Sequence, residues 1–190
     1  MRGAMAHKVL GICGALRAGS TNLMLLKEAL RVYAPGQAVI ADLRLPLYDG
    51  DLEANEGLPA GVLLLAQQMR QADAIIISTP EYNKALPGVL KNALDWVSRV
   101  PGMTWQGKAV AIMSAAAGRA GGERSQFSLR HCLTGFNPHI LQGPELMVAQ
   151  SATAFDDDGR LSNERSLKSL EALMQALRAQ VDMLAARKQA

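Results

Sequence analysis

Aromatic side chains are scarce in this chain, with three Phe, three Tyr and two Trp among 190 residues. Because 49% of the residues are nonetheless hydrophobic, the core has to be built mostly from Leu, Ile, Val, Ala and Met. A chain of this length fits one domain of ordinary size. We therefore expect residues 1–190 to form a single domain.

Long hydrophobic runs are also missing. No apolar segment approaches the ~20 residues that a helix needs to cross a bilayer. The stretch 1–7 carries charge and leads directly into a short strand-like segment, without the long apolar region and cleavage site of a signal peptide. These features argue against a membrane partner and predict a cytoplasmic location.

Clusters of basic residues, cysteines and histidines are absent as well. The net charge is only +3 and its basic residues are spread along the chain, whereas nucleic-acid binding needs a clustered basic face. Cys13 and Cys132 lie far apart and are expected to be reduced thiols in a cytosolic protein. His7, His131 and His139 lack the spacing of metal ligands, so we expect no metal.

Two periodicities alternate along the chain. Short apolar segments predict five strands, at residues 8–13, 38–43, 73–79, 107–115 and 146–149, the last of which could begin nearer Ile140. Helical spacing of apolar residues predicts helices at residues 20–33, 57–71, 86–99, within 118–134, and along the stripe from 167 to 184. The proline-containing segment 44–56 is predicted to be a loop.

Repeated strand–helix units predict an α/β fold with a parallel sheet, right-handed crossovers and helices on both faces. Five strands favour a flavodoxin-like three-layer sandwich with the strand order 2-1-3-4-5 over a six-stranded dinucleotide fold. Ligands of such sheets bind outside the carboxyl ends of the strands, at the point where the order reverses. The loops after strands one, three and four are therefore the candidate site.

The loop after strand one has the composition of a phosphate site. Ser20, Thr21 and Asn22 place short hydrogen-bonding side chains where a helix begins. The free N–H groups and the positive end of that helix favour an anion. Arg17 adds a permanently charged, forked donor.

Two better-known phosphate motifs do not fit this loop. Gly14 and Gly19 have the spacing of a P-loop, but Ser20 stands where the motif requires Lys. The dinucleotide fingerprint G-x-G-x-x-G is absent. The loop better suits a terminal monophosphate held by hydroxyls and one arginine, with an ordinary turn and a well-capped helix as the alternative.

The loop after strand three is suited to a flat ring. Pro80, Glu81, Tyr82 and Asn83 form a polar, aromatic and rigid segment directly after the most hydrophobic strand. Tyr82 offers stacking area, and backbone groups could meet the polar edge of a flavin. A plain loop with Tyr82 packed as a lid is the alternative.

Taken together, these loops resemble the signatures of the NADPH-dependent FMN reductase family. Gly-Ala-Leu-Arg-Ala-Gly-Ser-Thr-Asn at 14–22 is similar to its first signature, Gly-Ser-x-Arg-x-x-Ser-x-Asn. Pro-Glu-Tyr-Asn at 80–83, followed by Leu-Pro-Gly at 86–88 and Leu-Lys-Asn-Ala-Leu-Asp-Trp at 90–96, resembles the second. The stretch 117–122 resembles the glycine-rich third, and the resemblance runs from about residue 8 to 150.

This resemblance implies a flavodoxin-like fold that binds FMN without a covalent link and forms a homodimer or homotetramer. It also implies that NADPH or NADH reduces the flavin, which then reduces a quinone, chromate, an azo compound or free flavin. The chemistry would take place on the flavin, so no side chain is expected to be catalytic.

Residues of three loops are implied to bind the cofactor. Those of the first loop would hold the phosphate, those after strand three would line the ring, and the last two would close its other side. The implied residues are Ala15, Leu16, Arg17, Ser20, Thr21, Asn22, Pro80, Glu81, Tyr82, Asn83, Ser114 and Ala115. Ala15 departs from the family's usual Ser, and a missing hydrogen bond to a charged group would weaken FMN binding by ~1.5–3 kcal/mol.

Two other functions stay open at this point. A flavodoxin-type electron carrier would share the fold and the FMN, although flavodoxins tend to be acidic and this chain is mildly basic. A flavin-free nucleotide-binding module is the second alternative, which the absence of a hydroxyl at Ala15 favours.

Overall fold

The computed structural model describes residues 6–102 and 104–189, so residues 1–5 of the N-terminal stretch considered above lie outside it. The strands are β1 (Lys8–Cys13), β2 (Gln37–Ile40), β3 (Ala74–Thr79), β4 (Ala109–Ala115), β5 (His139–Ile140) and β6 (Met147–Val148). The helices are α1 (Thr21–Tyr33), α2 (Gly50–Glu56), α3 (Ala60–Gln71), α4 (Gly88–Ser98), α5 (Glu123–Leu133) and α6 (Glu164–Gln189).

The strands form one parallel sheet in the order β2-β1-β3-β4-β5, which confirms the predicted flavodoxin-like α/β fold. The fifth strand differs from its prediction, because it is divided into two short segments. β5 pairs with the beginning of β4, and β6 pairs with its end. Pro144 lies between them and has no N–H to donate to a continuous ladder.

Alternate residues of the central strands point to opposite faces, and each face meets its own layer of helices. On one face the strands pack against α1 and α6, through Val9, Cys13, Ala74, Ile76, Ala111 and Met113. On the other face they pack against α3, α4 and α5, through Leu10, Ile12, Ile75, Ile77, Val110 and Ile112. All six residues of β3 are buried, as expected for a strand covered on both sides.

The segment after β2 departs from the prediction. The strand ends at Ile40, and the predicted loop 44–56 contains the short helix α2. Asp49 caps this helix by accepting a hydrogen bond from the backbone N–H of Asp51 at 2.9 Å. None of the α2 residues is buried, so the helix has no apolar stripe by which periodicity could reveal it.

The carboxyl ends of β1, β3 and β4 meet at one edge of the sheet, below called the carboxyl edge, where three loops and the first turns of α1, α4 and α5 lie together. The opposite edge, where the strands begin, is called the amino edge. No helix in the described part of the chain is long and apolar enough to span a membrane.

Candidate cofactor site

The first loop of the carboxyl edge, residues 14–20, leads from β1 into α1. Ser20 is the N-cap of α1, and its hydroxyl accepts hydrogen bonds from the backbone N–H groups of Asn22 at 3.2 Å and Leu23 at 3.4 Å. The oxygen of the Ser20 hydroxyl therefore serves as an acceptor for the start of the helix, and the residue is buried. Arg17 is exposed at the tip of the loop, so an anion at the start of α1 could meet a guanidinium and backbone N–H groups.

Gly14 brings the first loop close to the second, which comprises residues 80–87. A Cβ at this position would lie 3.0 Å from both Pro80 and Pro87. The Gly14 N–H also donates to the carbonyl of Ser78 at 2.9 Å. A larger residue at position 14 would therefore require Pro80 or Pro87 to shift by a few tenths of an ångström, so Gly14 lets the two loops lie close together.

Asn22 connects three elements beneath the loops. Its side-chain NH2 donates to the carbonyl of Ala115 at 2.8 Å, and its side-chain oxygen accepts from the Ala115 N–H and the Ser78 hydroxyl, both at 3.0 Å. The residue is 2% exposed. The amide of Asn22 thus ties α1 to the carboxyl ends of β3 and β4. A direct contact of Asn22 with the phosphate stays a prediction.

The thiol of Cys13 lies directly below the first loop. Burial raises its pKa, although hydrogen bonds from the Ala15 backbone and the Ser20 side chain oppose the shift. A thiol held in its protonated form is a poor nucleophile. Cys13 is 6% exposed and packs under the loop, where burial disfavours its thiolate.

The second loop ends in a tight hairpin turn. Tyr82 and Ala85 exchange backbone hydrogen bonds of 3.2 and 3.1 Å, and Asn83 and Lys84 between them have φ values of 50° and 68°. Two successive residues of positive φ are typical of a type I′ turn. This stiff turn leaves the Tyr82 ring 52% exposed, next to the buried Pro80.

Glu81 joins the second loop to the third, which comprises residues 116–122. Its carboxylate accepts a hydrogen bond from the backbone N–H of Arg124, in the first turn of α5, at 3.1 Å. The N-cap of α5 is Gly122, which has no side chain to satisfy these N–H groups. The carboxylate also has the favourable sign for the positive end of a helix, so Glu81 fixes one loop against the other.

Ser114 and Ala115 end β4 in the interior of the site. The Ser114 hydroxyl donates to the carbonyl of Gly121 at 2.7 Å and accepts from the Gln126 amide at 2.8 Å. Ser114 is 0% exposed and Ala115 2% exposed. The Ser114 hydroxyl thus supports the third loop from below. That the two residues close the far side of a ring stays a prediction, and since both side chains are buried the contact would have to come from their backbone.

A fourth segment, which follows β2, also reaches the first loop. Arg44 donates from Nη2 to the carbonyl of Leu16 at 3.0 Å and from Nη1 to Asp42 at 3.1 Å. Sequence reasoning missed this contact because it considered only the loops after strands one, three and four. The proximity of β2 to β1 in the sheet was the available signal.

The site therefore offers backbone donors and a cation at the start of one helix, beside a rigid turn that presents an aromatic ring. This combination suits a planar cofactor that ends in a phosphate. Within residues 6–102 and 104–189, no group of three His, Cys, Asp or Glu side chains is placed to hold a metal ion.

Comparison with known proteins gives consistent results. The family model for NADPH-dependent FMN reductases matches residues 7–153. An NAD(P)H-dependent FMN reductase of Pseudomonas aeruginosa is 44% identical over 172 residues, which cover 90% of this chain and 92% of that protein. A quinone reductase of Escherichia coli is 42% identical over 145 residues, 74% of this chain and 76% of its own. The solved structure of FerB, a flavoenzyme NAD(P)H:(acceptor) oxidoreductase from Paracoccus denitrificans, superposes with a TM-score of 0.83 at 31% identity, covering 93% of this chain and 98% of that one.

Proposed function

Because the chain belongs to the NADPH-dependent FMN reductase family, we propose that its carboxyl edge holds FMN and passes electrons from NAD(P)H to a small acceptor. Quinones are the first acceptors to test, since relatives are named for them, and chromate, azo compounds and free flavin follow. When bound, the flavin supplies the hydride and electron chemistry. The protein works in the cytoplasm, where reduced nicotinamide is available.

The observation that carries this proposal is the first turn of α1. An open loop with the exposed Arg17 leads into a helix of 13 residues whose N-terminus favours a negative group. Arg17 binds the phosphate together with backbone N–H groups of Ala15, Leu16 and Thr21. Ser20 and Asn22 contribute by fixing the shape of the loop.

The second loop orients the ring. The backbone from Pro80 to Asn83 would line the flavin, and the exposed Tyr82 ring would lie beside it, where the flavin would supply the hydride and electron chemistry. Glu81 holds this loop against α5, and the buried Ser114 and Ala115 support the opposite side. These residues bind and orient the cofactor, and none of them needs to act as a nucleophile.

The protein assembles as a homodimer or homotetramer. Leu47 is 81% exposed, and Leu63 and Leu64 on α3 are 48% and 53% exposed. The segment that carries Leu47 is fixed, because the carbonyl of Pro46 accepts hydrogen bonds from Asn92 and Trp96. Large exposed apolar patches mark interfaces, and these leucines are the residues that such a patch would use. Sedimentation equilibrium that found a monomer would disprove this assembly.

The function is tested by anaerobic reduction of the purified protein. The flavin absorption should be bleached by NADPH or NADH and restored by a quinone over many turnovers. A protein that stays oxidised with both nicotinamides would be an electron carrier instead, and one that binds no flavin would be neither.

The placement of the phosphate is tested by Arg17→Ala. Loss of a charged hydrogen bond worth ~1.5–3 kcal/mol should lower FMN affinity by about 10- to 100-fold. Arg165→Ala, which removes another exposed arginine from the start of α6, is the matched control. If both variants retain wild-type affinity in a fluorescence titration, the phosphate does not lie beside Arg17.

A further inference from the structure

The tip of the first loop is held by an arginine from outside the loop. Within the loop, the Ser20 N–H donates to the Arg17 carbonyl at 3.2 Å, and Gly14 is tied to Ser78 at the other end. Between these two points, the guanidinium of Arg44 donates to the carbonyl of Leu16 at 3.0 Å. We propose that Arg44 is a positioning residue for the phosphate-binding loop. This inference rests on the proposed function of that loop.

Arg44 is itself held in place by a neighbouring carboxylate. One oxygen of Asp42 accepts from both the backbone N–H and Nη1 of Arg44, at 3.0 and 3.1 Å. The guanidinium is planar, so fixing Nη1 also fixes the direction in which Nη2 donates. The hydrogen bonds between Asp42 and Arg44 therefore hold Nη2 of Arg44 in one orientation, in which it donates to the Leu16 carbonyl.

The bond to Leu16 determines where a backbone donor points. In a trans peptide the C=O and the N–H lie in one plane and point in opposite directions. The carbonyl of Leu16 and the N–H of Arg17 belong to the same peptide unit. Holding that carbonyl toward Arg44 directs the Arg17 N–H to the other side of the loop, where it can serve the phosphate.

We expect Arg44 to affect FMN binding through the orientation of the Leu16–Arg17 peptide rather than through its charge. Asp42 lies against Arg44, so the pair adds little net charge near the loop, and both side chains are more than 60% exposed, at 67% and 63%. Exposed ion pairs contribute little energy by themselves. A lysine at position 44 would keep the charge but could not hold the Asp42 carboxylate and the Leu16 carbonyl in one planar fork.

The test compares FMN with riboflavin, which lacks the phosphate. Binding of each to the apoprotein of Arg44→Ala is measured by fluorescence quenching. Because one charged hydrogen bond orders the loop, we expect FMN affinity to fall about tenfold, through faster dissociation, while riboflavin affinity stays at the wild-type value. Arg44→Lys should lose most of the same affinity. Arg99→Ala, which breaks the exposed pair with Glu53 away from the first loop, should bind both flavins as the wild type does.

Several outcomes would overturn the inference. Unchanged FMN affinity in Arg44→Ala, an equal loss for FMN and riboflavin, or full rescue by lysine would each exclude a positioning role through the phosphate loop. Arg17→Ala in the same titration separates this inference from the proposed function. If Arg17→Ala loses affinity and Arg44→Ala does not, only the role of Arg44 fails. If neither variant changes FMN binding, the phosphate site itself is misplaced.

Discussion

The two edges of the sheet use their polar groups in opposite ways. At the carboxyl edge, Arg17 and Tyr82 are exposed on loops. At the amino edge, the buried His7 is hydrogen-bonded through Nδ1 to the Tyr33 hydroxyl at 2.5 Å and through Nε2 to Asp182 at 3.0 Å. At the carboxyl edge a cation and an aromatic ring thus face solvent. At the amino edge the ionisable and aromatic side chains are instead hydrogen-bonded to one another.

The amino-edge cluster attaches the C-terminal helix to the sheet. Arg178 lies 4.5 Å over the centre of the Tyr33 ring and also donates to the Tyr33 carbonyl. Since Tyr33 ends α1 and both Arg178 and Asp182 lie on α6, the cluster joins these two helices at the beginning of β1. We therefore expect substitutions here to change stability with little effect on FMN binding, and substitutions in the carboxyl-edge loops to do the reverse.

Asn22→Ala should have the largest effect on stability, because Asn22 lies beneath the loops of the carboxyl edge and is also hydrogen-bonded in the interior. The substitution should therefore change both stability and FMN binding. Removing its amide leaves the Ser78 hydroxyl and the N–H and carbonyl of Ala115 without their partner in the interior. Each such buried group costs ~1–3 kcal/mol, so the loss of three partners should lower the free energy of unfolding by about 3 kcal/mol or more. FMN affinity should fall with it, as measured by urea unfolding and flavin titration.

Asn92→Ala is the matched control for this prediction. Asn92 also bonds backbone groups at both ends of its amide, to the Tyr48 N–H and the Pro46 carbonyl, but these lie in the segment after β2. Its loss should reduce stability less and leave FMN affinity unchanged. Equal effects of the two substitutions on flavin binding would contradict the role of Asn22 as the link beneath the site.

Tyr33→Phe tests the amino edge through its pH dependence. Burial raises the pKa of Tyr33 to about 12, so the fold favours the neutral phenol. A tyrosine whose pKa is raised by folding stabilises the native state at every pH below its pKa in the unfolded chain, which is ~10. This contribution disappears as the pH rises through the pKa of the folded state. The wild type should therefore lose about 2–3 kcal/mol of unfolding free energy between pH 10 and 12 that Tyr33→Phe does not lose.

The measurement is urea unfolding of both proteins at several alkaline pH values, with FMN affinity determined at neutral pH. Parallel loss of stability in the two proteins would show that Tyr33 is not the titrating group. A loss of FMN affinity in Tyr33→Phe at neutral pH would contradict the separation of the two edges.

Glu81→Gln should have the smallest effect. The substitution keeps an acceptor for the Arg124 N–H but removes the negative charge from the first turn of α5. A charge at a helix terminus contributes ~0.3–1 kcal/mol, and salt screens it. We expect a decrease of this size in the unfolding free energy at low ionic strength, which vanishes at high salt. A larger or salt-independent decrease would mean that Glu81 acts through another contact.

The sequence predicted what depends on local pattern. The consecutive isoleucines of β3 and the N-cap at Ser20 depend on neighbours within a few residues, and both were correctly placed. Asn22 and Arg44 depend on partners 93 and 28 residues away, so their contacts follow only from the assembled sheet. A motif can identify a polar residue near a site, but the direction of its side chain is set by elements distant in sequence.

We propose that the loop before α1 binds the phosphate of FMN. The most direct measurement is the affinity of the wild-type apoprotein for FMN relative to riboflavin, determined in the same buffer by calorimetry. Two or more charged hydrogen bonds should make FMN bind at least about 100-fold more tightly. Equal affinity for the two flavins would show that the phosphate makes no favourable contact with this loop, and would contradict a phosphate site at the start of α1.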